Sequence, residues 1–170
     1  AASDVYKRQL NAITINFPTP QPKAKYAKKR LVHVDHLMLY RPLFAAGATV
    51  TLRTDSKPLR DYALGQFAAA GYDTLWVSDD VRRDHPEHPE TEYECRTREM
   101  GAAVYGICAT PGAQPSDEQL AAGRAQEQSL ACYLPDNLDE LTYVPLGMEE
   151  AVENFRNRAR KGKKRLPQER

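Results

Sequence analysis

Hydrophobic and polar positions follow two periods along this chain, and together they predict a regular series of strands and helices. Lys57–Ala70 is the clearest helix, because its core-facing positions recur at helical spacing, Pro58 lies in its first turn and Gly71 follows it. Short apolar runs bounded by turn-forming residues predict strands at Ala12–Asn16, Ala48–Arg53, Asp73–Ser78 and Ala102–Ala109. The other predicted helices are Val34–Ala46, Thr91–Met100, Ser116–Gln128 and Met148–Arg160.

The first predicted helix contains a proline. We expect Pro42 to end its regular part near Tyr40, leaving Leu43–Ala46 as a looser turn before Gly47 permits a reversal. The resulting order of strands and helices, joined by short connections, predicts an α/β domain with right-handed crossovers and a mostly parallel sheet over residues 10–109. From Thr110 the pattern changes, and residues 110–170 are predicted to form a linker, a helical extension and a basic tail.

The first strand runs into a segment that is unsuited to a hydrophobic core. Prolines follow at positions 18, 20 and 22, and they stiffen the backbone while removing hydrogen-bond donors. Lys23–Arg30 then carries five cations in eight residues. Ligand sites in open α/β sheets lie at the carboxyl ends of strands, so the pattern favours an anion-binding loop. A solvated basic surface without a partner is the alternative.

Composition narrows the possible classes of protein. The 170 residues are enough for one domain, and the net charge of +1 conceals two basic islands, Lys23–Arg30 and Arg156–Arg165. Three widely spaced cysteines predict reduced thiols and a cytoplasmic location. The sequence shows neither a membrane span nor a secretory signal. We predict no metal site, since we expect no third ligand near His85 and His88, which are interpreted as loop residues.

The N-terminal residues have an unusual sequence. The chain does not begin with methionine, and Asp4–Gln9 reads like a translated sequencing adaptor. We therefore expect Ala1–Gln9 to be an assembly remnant, with a natural charged tail as the alternative.

Three linked motifs identify a family resemblance over about Asn11–Ala109. They are INFPTPQPKAKYAKKRLV, LRTDSKPLRDY and Thr91-Glu92-Tyr93-Glu94 followed by Arg96 and Gly101. In this order and spacing they resemble the bacterial tRNA (guanine-N7)-methyltransferases. The resemblance implies a Rossmann-like class I methyltransferase fold and an enzyme that transfers methyl from S-adenosylmethionine to N7 of a guanine in the tRNA variable loop. The family's glycine-rich donor-binding segment precedes the matched region, so the resemblance implies the C-terminal half of the domain, inactive by itself and with an exposed first-strand edge.

The resemblance also implies roles for individual residues. The positions that match substrate-contacting residues are Lys23, Asp55, Thr91, Glu92, Tyr93 and Glu94. The positions that match the RNA-contacting stretch are Lys25, Tyr26, Lys28, Lys29 and Arg30. Four positions depart from the family pattern: Thr19 replaces a catalytic aspartate, Gln21 a tryptophan, Tyr26 a histidine and Glu92 a lysine.

Replacing the family's aspartate by Thr19 should affect the orientation of the guanine base more than any proton transfer. Guanine N7 already carries a lone pair, so methyl transfer to it depends mainly on alignment with the donor. The competing hypothesis is a diverged, non-catalytic module that binds RNA or a protein partner. Taken alone, Asp55 is also compatible with a helix cap, and Glu94 with an ordinary surface carboxylate.

Overall fold

A computed structural model of the protein describes residues 9–162. The predicted assembly remnant falls outside this range except for Gln9, and so does the end of the predicted basic tail. Within the described range the chain forms one mixed α/β unit, which confirms the predicted fold class.

In the part of the chain that the structure describes, the sheet has four strands, β1 (Leu10–Asn16), β2 (Phe44–Thr54), β3 (Tyr72–Ser78) and β4 (Tyr105–Pro111), in the order β1-β2-β4-β3. β1 and β2 are parallel, while β4 runs antiparallel to both β2 and β3. Three strands therefore point in one direction, and the last strand inserts between two of them. β1 lies at an edge of the described sheet, and most of its residues are exposed.

Among residues 9–162, six α-helices accompany the sheet. They are α1 (Val34–Tyr40), α2 (Lys57–Ala69), α3 (Val81–Asp84), α4 (Glu92–Glu99), α5 (Asp117–Ala125) and α6 (Glu149–Arg160). Short 3-10 turns lie at Ala24–Lys29, Arg41–Leu43, Leu130–Tyr133 and Leu138–Glu140. The core contains the apolar face of α2 together with the inward residues of β2 and β4.

The clearest difference from the prediction lies between α1 and β2. Pro42 does end α1 at Tyr40, but β2 begins at Phe44 rather than at Ala48. Phe44 is buried and pairs with Leu10, and a register irregularity follows before the regular ladder. Gly47, with φ of 73°, lies inside this irregular stretch, so it permits a bulge rather than a chain reversal.

The C-terminal extension packs directly onto the α/β unit. Ser116 caps α5 in a capping box with Gln119, as the sequence predicts. α5 approaches α2 so closely that a Cβ on Gly123 would lie 2.6 Å from the Cβ of Ala69. The backbone N–H of Leu130 donates to the carbonyl of Pro22, 3.0 Å away. The extension therefore contacts both the core helix and the proline-rich segment.

A buried ion-pair network attaches α4 to the sheet. Glu94 is fully buried, and its Oε2 accepts a hydrogen bond from the Arg53 guanidinium on β2. Its Oε1 accepts bonds of 3.0 and 2.7 Å from Nε and a terminal nitrogen of Arg82. The other terminal nitrogens of Arg53 and Arg82 donate to the carbonyls of Pro89 and His88. The start of α4 is thus held by charges that have little access to water.

We expect the substitution Glu94→Gln to lower the free energy of unfolding by about 3 kcal/mol or more, because removing one partner leaves buried arginine charge uncompensated. Urea denaturation followed by circular dichroism measures this change. Glu92→Gln is the matched control, since it makes the same change on the same helix in an exposed pair with Arg96 and should cost at most about 1 kcal/mol. Equal, small losses in both variants would show that the network does not hold α4.

Candidate functional site

The proline loop, Phe17–Lys23, leaves the carboxyl end of β1 with an unusual backbone. The Phe17 N–H donates to the carbonyl of Arg53 at 2.7 Å, so the loop starts from the end of the β1–β2 ladder. Phe17 and Gln21 have positive φ values of 47° and 51°, although neither is a glycine. Residues other than glycine rarely adopt this conformation, and it persists only where the surroundings hold it.

Arg30 supplies much of that restraint. Its side chain is 1% exposed, and its Nε lies 3.1 Å from both the Pro20 and the Gln21 carbonyl oxygens. One terminal nitrogen donates to the carbonyls of Gln21 and Gln128, each at 2.7 Å. The guanidinium lies 4.5 Å from the centre of the Tyr62 ring, and burial lowers the pKa of Arg30.

This placement corrects the sequence-based assignment of Arg30 to the RNA-contacting set. A guanidinium enclosed by backbone carbonyls and an aromatic ring has no surface to offer a phosphate. The basic run therefore contains one structural cation and several exposed ones.

The exposed cations lie on the 3-10 turn Ala24–Lys29. Lys25, Lys28 and Lys29 are exposed, while Tyr26 is partly buried. The amines of Lys25 and Lys29 lie 5.0 and 4.8 Å from the centre of that ring. These lysines form a compact positive surface beside the proline loop, which suits a phosphate backbone.

Asp55 lies directly after β2 and is 6% exposed. Ser56 caps α2 by accepting a bond from the Leu59 N–H, so the cap does not depend on Asp55. Asp55 Oδ2 instead accepts hydrogen bonds from the hydroxyls of Tyr93 at 3.0 Å and Tyr143 at 2.8 Å. Burial, with Asp55 next in effect, raises the pKa of Tyr93 to about 12 and raises that of Tyr143 further, so both hydroxyls remain donors near neutral pH.

The start of α4 approaches the proline loop through one aromatic contact. The ring centres of Tyr93 and Phe17 lie 4.9 Å apart. Thr91 caps the helix by accepting from the Glu94 N–H, and Glu92 faces solvent. Because Glu94 is buried in its ion pairs, it is not a surface carboxylate, and in this conformation it positions Tyr93 rather than facing a ligand.

Lys23 and Asp55, which the resemblance assigns to one substrate site, line different cavities. Lys23 lies in a cavity of about 470 Å³ between the proline loop and α6, here called the α6 cavity. Asp55 lies in a second cavity of about 400 Å³ with Tyr143, here called the Tyr143 cavity. Thr19 is exposed on the loop itself, and Gln21 lines the α6 cavity.

The extension supplies both cavities with residues that were not predicted from the sequence to belong to the site. Tyr143 reaches Asp55 across 88 positions of sequence, and Glu150 pairs with Lys23 at 3.0 Å across 127. A Cβ on Gly147 would lie 3.3 Å from Pro20, so this segment passes close to the loop. No local pattern before α6 or in its first turn predicts these contacts, since they arise only from the packing.

The fold places a third possible metal ligand beside the two histidines, contrary to the expectation from the sequence. The structure brings Glu87 beside His85 and His88, with the ligand atoms of all three residues within 4.8 Å of one another. The His85 ring stacks on Trp76 at 3.9 Å between ring centres, which accounts for its position without an ion. Among residues 9–162, no helix is both long and apolar enough to cross a membrane.

Comparison with known proteins gives this geometry a family context. A family model described as "Putative methyltransferase" matches residues 2–107, which include the proline loop, Asp55 and α4. The curated tRNA (guanine-N(7)-)-methyltransferase of Exiguobacterium sibiricum is 31% identical over 105 residues, which are 61% of this chain and 49% of that protein. The enzyme of the same name from Alkaliphilus oremlandii is 33% identical over 98 residues, covering 57% of this chain and 46% of that protein.

A third relative, the tRNA (guanine-N(7)-)-methyltransferase of Streptococcus equi subsp. zooepidemicus, is 29% identical over 103 residues, or 60% of this chain and 49% of that protein. The chain thus spans about half the length of the curated relatives that it matches. α5 and α6 lie beyond the residues that the family model covers. The resemblance read from the three motifs is confirmed, and the chain belongs to this methyltransferase family.

Proposed function

We propose that the protein is a tRNA methyltransferase that transfers methyl from S-adenosylmethionine to N7 of a variable-loop guanine, with this chain contributing residues that bind the RNA and the base. One observation carries the proposal. The proline loop, Asp55 and the start of α4 meet at the carboxyl ends of neighbouring parallel strands, beside three exposed lysines. The tRNA (guanine-N(7)-)-methyltransferase activity for which the relatives are named supports the same reaction.

The exposed lysines and Asp55 have complementary tasks in this proposal. Lys25, Lys28 and Lys29 bind backbone phosphates, which position the RNA without reading its sequence. Asp55 accepts hydrogen bonds from the N1–H and amino group on one edge of guanine, which leaves N7 on the opposite edge free. Its Oδ2 now accepts from two tyrosines, so the guanine must displace at least the Tyr143 hydroxyl.

The reaction needs no general base at N7. The donor supplies an electrophilic methyl group, and the N7 lone pair accepts it directly, so the contribution of this chain is alignment of the base. Within residues 9–162 the connections from β1, β2 and β3 to the following helices contain no glycine, and the connection after β4 contains Gly112 alone. These connections do not form a glycine-rich loop and do not fit a donor nucleoside by themselves. We therefore assign no residue of this chain to the donor.

A non-catalytic RNA-binding module is the second candidate, and two observations favour it. Thr19 offers no carboxylate on the proline loop, and the extension contacts the acceptor oxygen that the base would use. Such a module would keep the lysine surface and its affinity for RNA without methyl transfer. A cytoplasmic location remains a prediction for both candidates.

Methyl transfer separates the two candidates. The protein expressed from the complete gene is incubated with radiolabelled S-adenosylmethionine and an unmodified tRNA transcript, and the product is mapped by chemical cleavage at 7-methylguanine. We expect incorporation at the variable-loop guanine, which the family resemblance assigns to position 46 of the tRNA, and its loss when that guanine is replaced by adenine. Binding of tRNA without incorporation would reject the enzyme and leave the binding module.

The substitution Tyr143→Phe tests whether Asp55 faces the RNA. Removing the Tyr143 hydroxyl frees Asp55 Oδ2 from a competing donor, so we expect tRNA affinity to rise by roughly threefold to tenfold. Fluorescence anisotropy with labelled tRNA measures the dissociation constant.

Tyr133→Phe is the matched control, because this extension tyrosine donates to the Glu127 carbonyl and not to Asp55. It should leave tRNA affinity unchanged. Weaker binding by the Tyr143→Phe variant, at equal stability, would mean that Asp55 serves only to hold the extension.

A further inference from the structure

The α6 cavity contains a combination of side chains that the proposed reaction does not use. It lies between the Gln21–Tyr26 segment and α6, and its volume of about 470 Å³ is within the usual range for small-ligand sites. One wall comes from the proline loop and the other from a helix beyond the family match. Any site there belongs to the extension as much as to the methyltransferase domain.

The cavity favours an anionic group. Lys23 and Arg158 both line it, against the single carboxylate of Glu150. The Lys23–Glu150 pair is 3.0 Å long, with side chains 49% and 68% exposed, so it is weak and readily exchanged. Arg158 forms no ion pair with any residue between 9 and 162. A phosphate can replace the Glu150 carboxylate at Lys23, and Arg158 adds a second positive charge to the lining of the same cavity.

The rest of the lining suits a nucleobase. The rings of Tyr26 and Phe155 both contribute, and the amides of Gln21 and Asn154 offer donors and acceptors for a base edge. Phe155 is partly buried and packs against the core, so its position is fixed before any ligand arrives. Aromatic rings beside cations are the usual means of holding an unstacked nucleotide in single-stranded RNA.

We propose that the α6 cavity binds one unstacked nucleotide of the RNA substrate, its phosphate at Lys23 and Arg158 and its base against Tyr26 and Phe155. This nucleotide is separate from the guanine at Asp55, because Asp55 lines the other cavity. The inference depends on the proposed function in one respect, that the ligand is RNA. In the free protein Glu150 forms an ion pair with Lys23, and this pair breaks when the phosphate binds.

The test compares two RNAs and two pairs of variants of the full chain. The RNAs are a labelled unmodified tRNA transcript and a perfect duplex without unpaired nucleotides, with dissociation constants from fluorescence anisotropy. Arg158→Gln and Arg160→Gln make the same charge change on exposed positions of the same helix, but only Arg158 lines the cavity. We expect Arg158→Gln to weaken tRNA binding about fivefold and to lower its salt dependence by about one phosphate contact, with a much smaller effect of Arg160→Gln.

The second pair of variants tests the contact of the base with Phe155 and the release of Lys23 from Glu150. Phe155→Leu keeps an apolar side chain at α6 but removes the ring, so we expect tRNA affinity to fall about tenfold and duplex affinity to stay unchanged. Glu150→Gln should tighten tRNA binding severalfold, because Lys23 then has no carboxylate partner. A thermal melt of each variant shows whether α6 remains packed.

Equal losses of tRNA affinity in the two arginine variants, or equal effects of a variant on tRNA and duplex binding, would overturn the inference. Either result would mean that the cavity attracts RNA only through its general positive charge. Failure of the chain to bind tRNA would overturn it as well. Loss of methyl transfer with these binding differences intact would reject the proposed enzyme and keep the nucleotide pocket. The two proposals can therefore fail separately.

Discussion

The candidate site depends on one buried cation. Arg30 donates to the carbonyls of two residues in the proline loop and to the carbonyl of Gln128 in the extension, while its guanidinium packs over the Tyr62 ring on α2. The prolines remove the loop's own donors, and two of its residues adopt positive φ. A loop of this kind keeps one conformation only if another group satisfies its carbonyls. A single guanidinium does so for the loop, and it also binds the Gln128 carbonyl of the extension and packs on Tyr62 of α2.

The same packing explains why the site has two cavities rather than one open groove. The extension passes beside the proline loop, brings Tyr143 to Asp55 and then begins α6 opposite Lys23. Asp55 and Lys23, which the family resemblance assigns to one substrate site, thus each contact a residue of the extension, beyond the family match. Under the two proposals, RNA binding is an exchange of partners, in which a base replaces a tyrosine hydroxyl at Asp55 and a phosphate replaces a carboxylate at Lys23.

Much of the fold follows from local pattern. The α2 stripe, the Ser116 capping box and the four strands were all predictable, because each depends on nearby residues. The site was predictable only to the level of its segments. Arg30 and Lys29 are neighbours in one basic run, and charge pattern cannot tell that one is enclosed by carbonyls while the other is exposed. Glu94 likewise reads as a surface carboxylate until β2 and the α3 region supply its arginine partners.

The Arg30 contacts also bear on how the protein folds during synthesis. The bond from Arg30 to Gln128 joins residues 98 positions apart, and the one from Leu130 to Pro22 has a similar span. Because the ribosome delivers the N-terminal residues first, β1 and its loop emerge long before these partners exist. The loop at the centre of the site therefore reaches its final shape among the last parts of the domain, after the chain beyond Leu130 has been made.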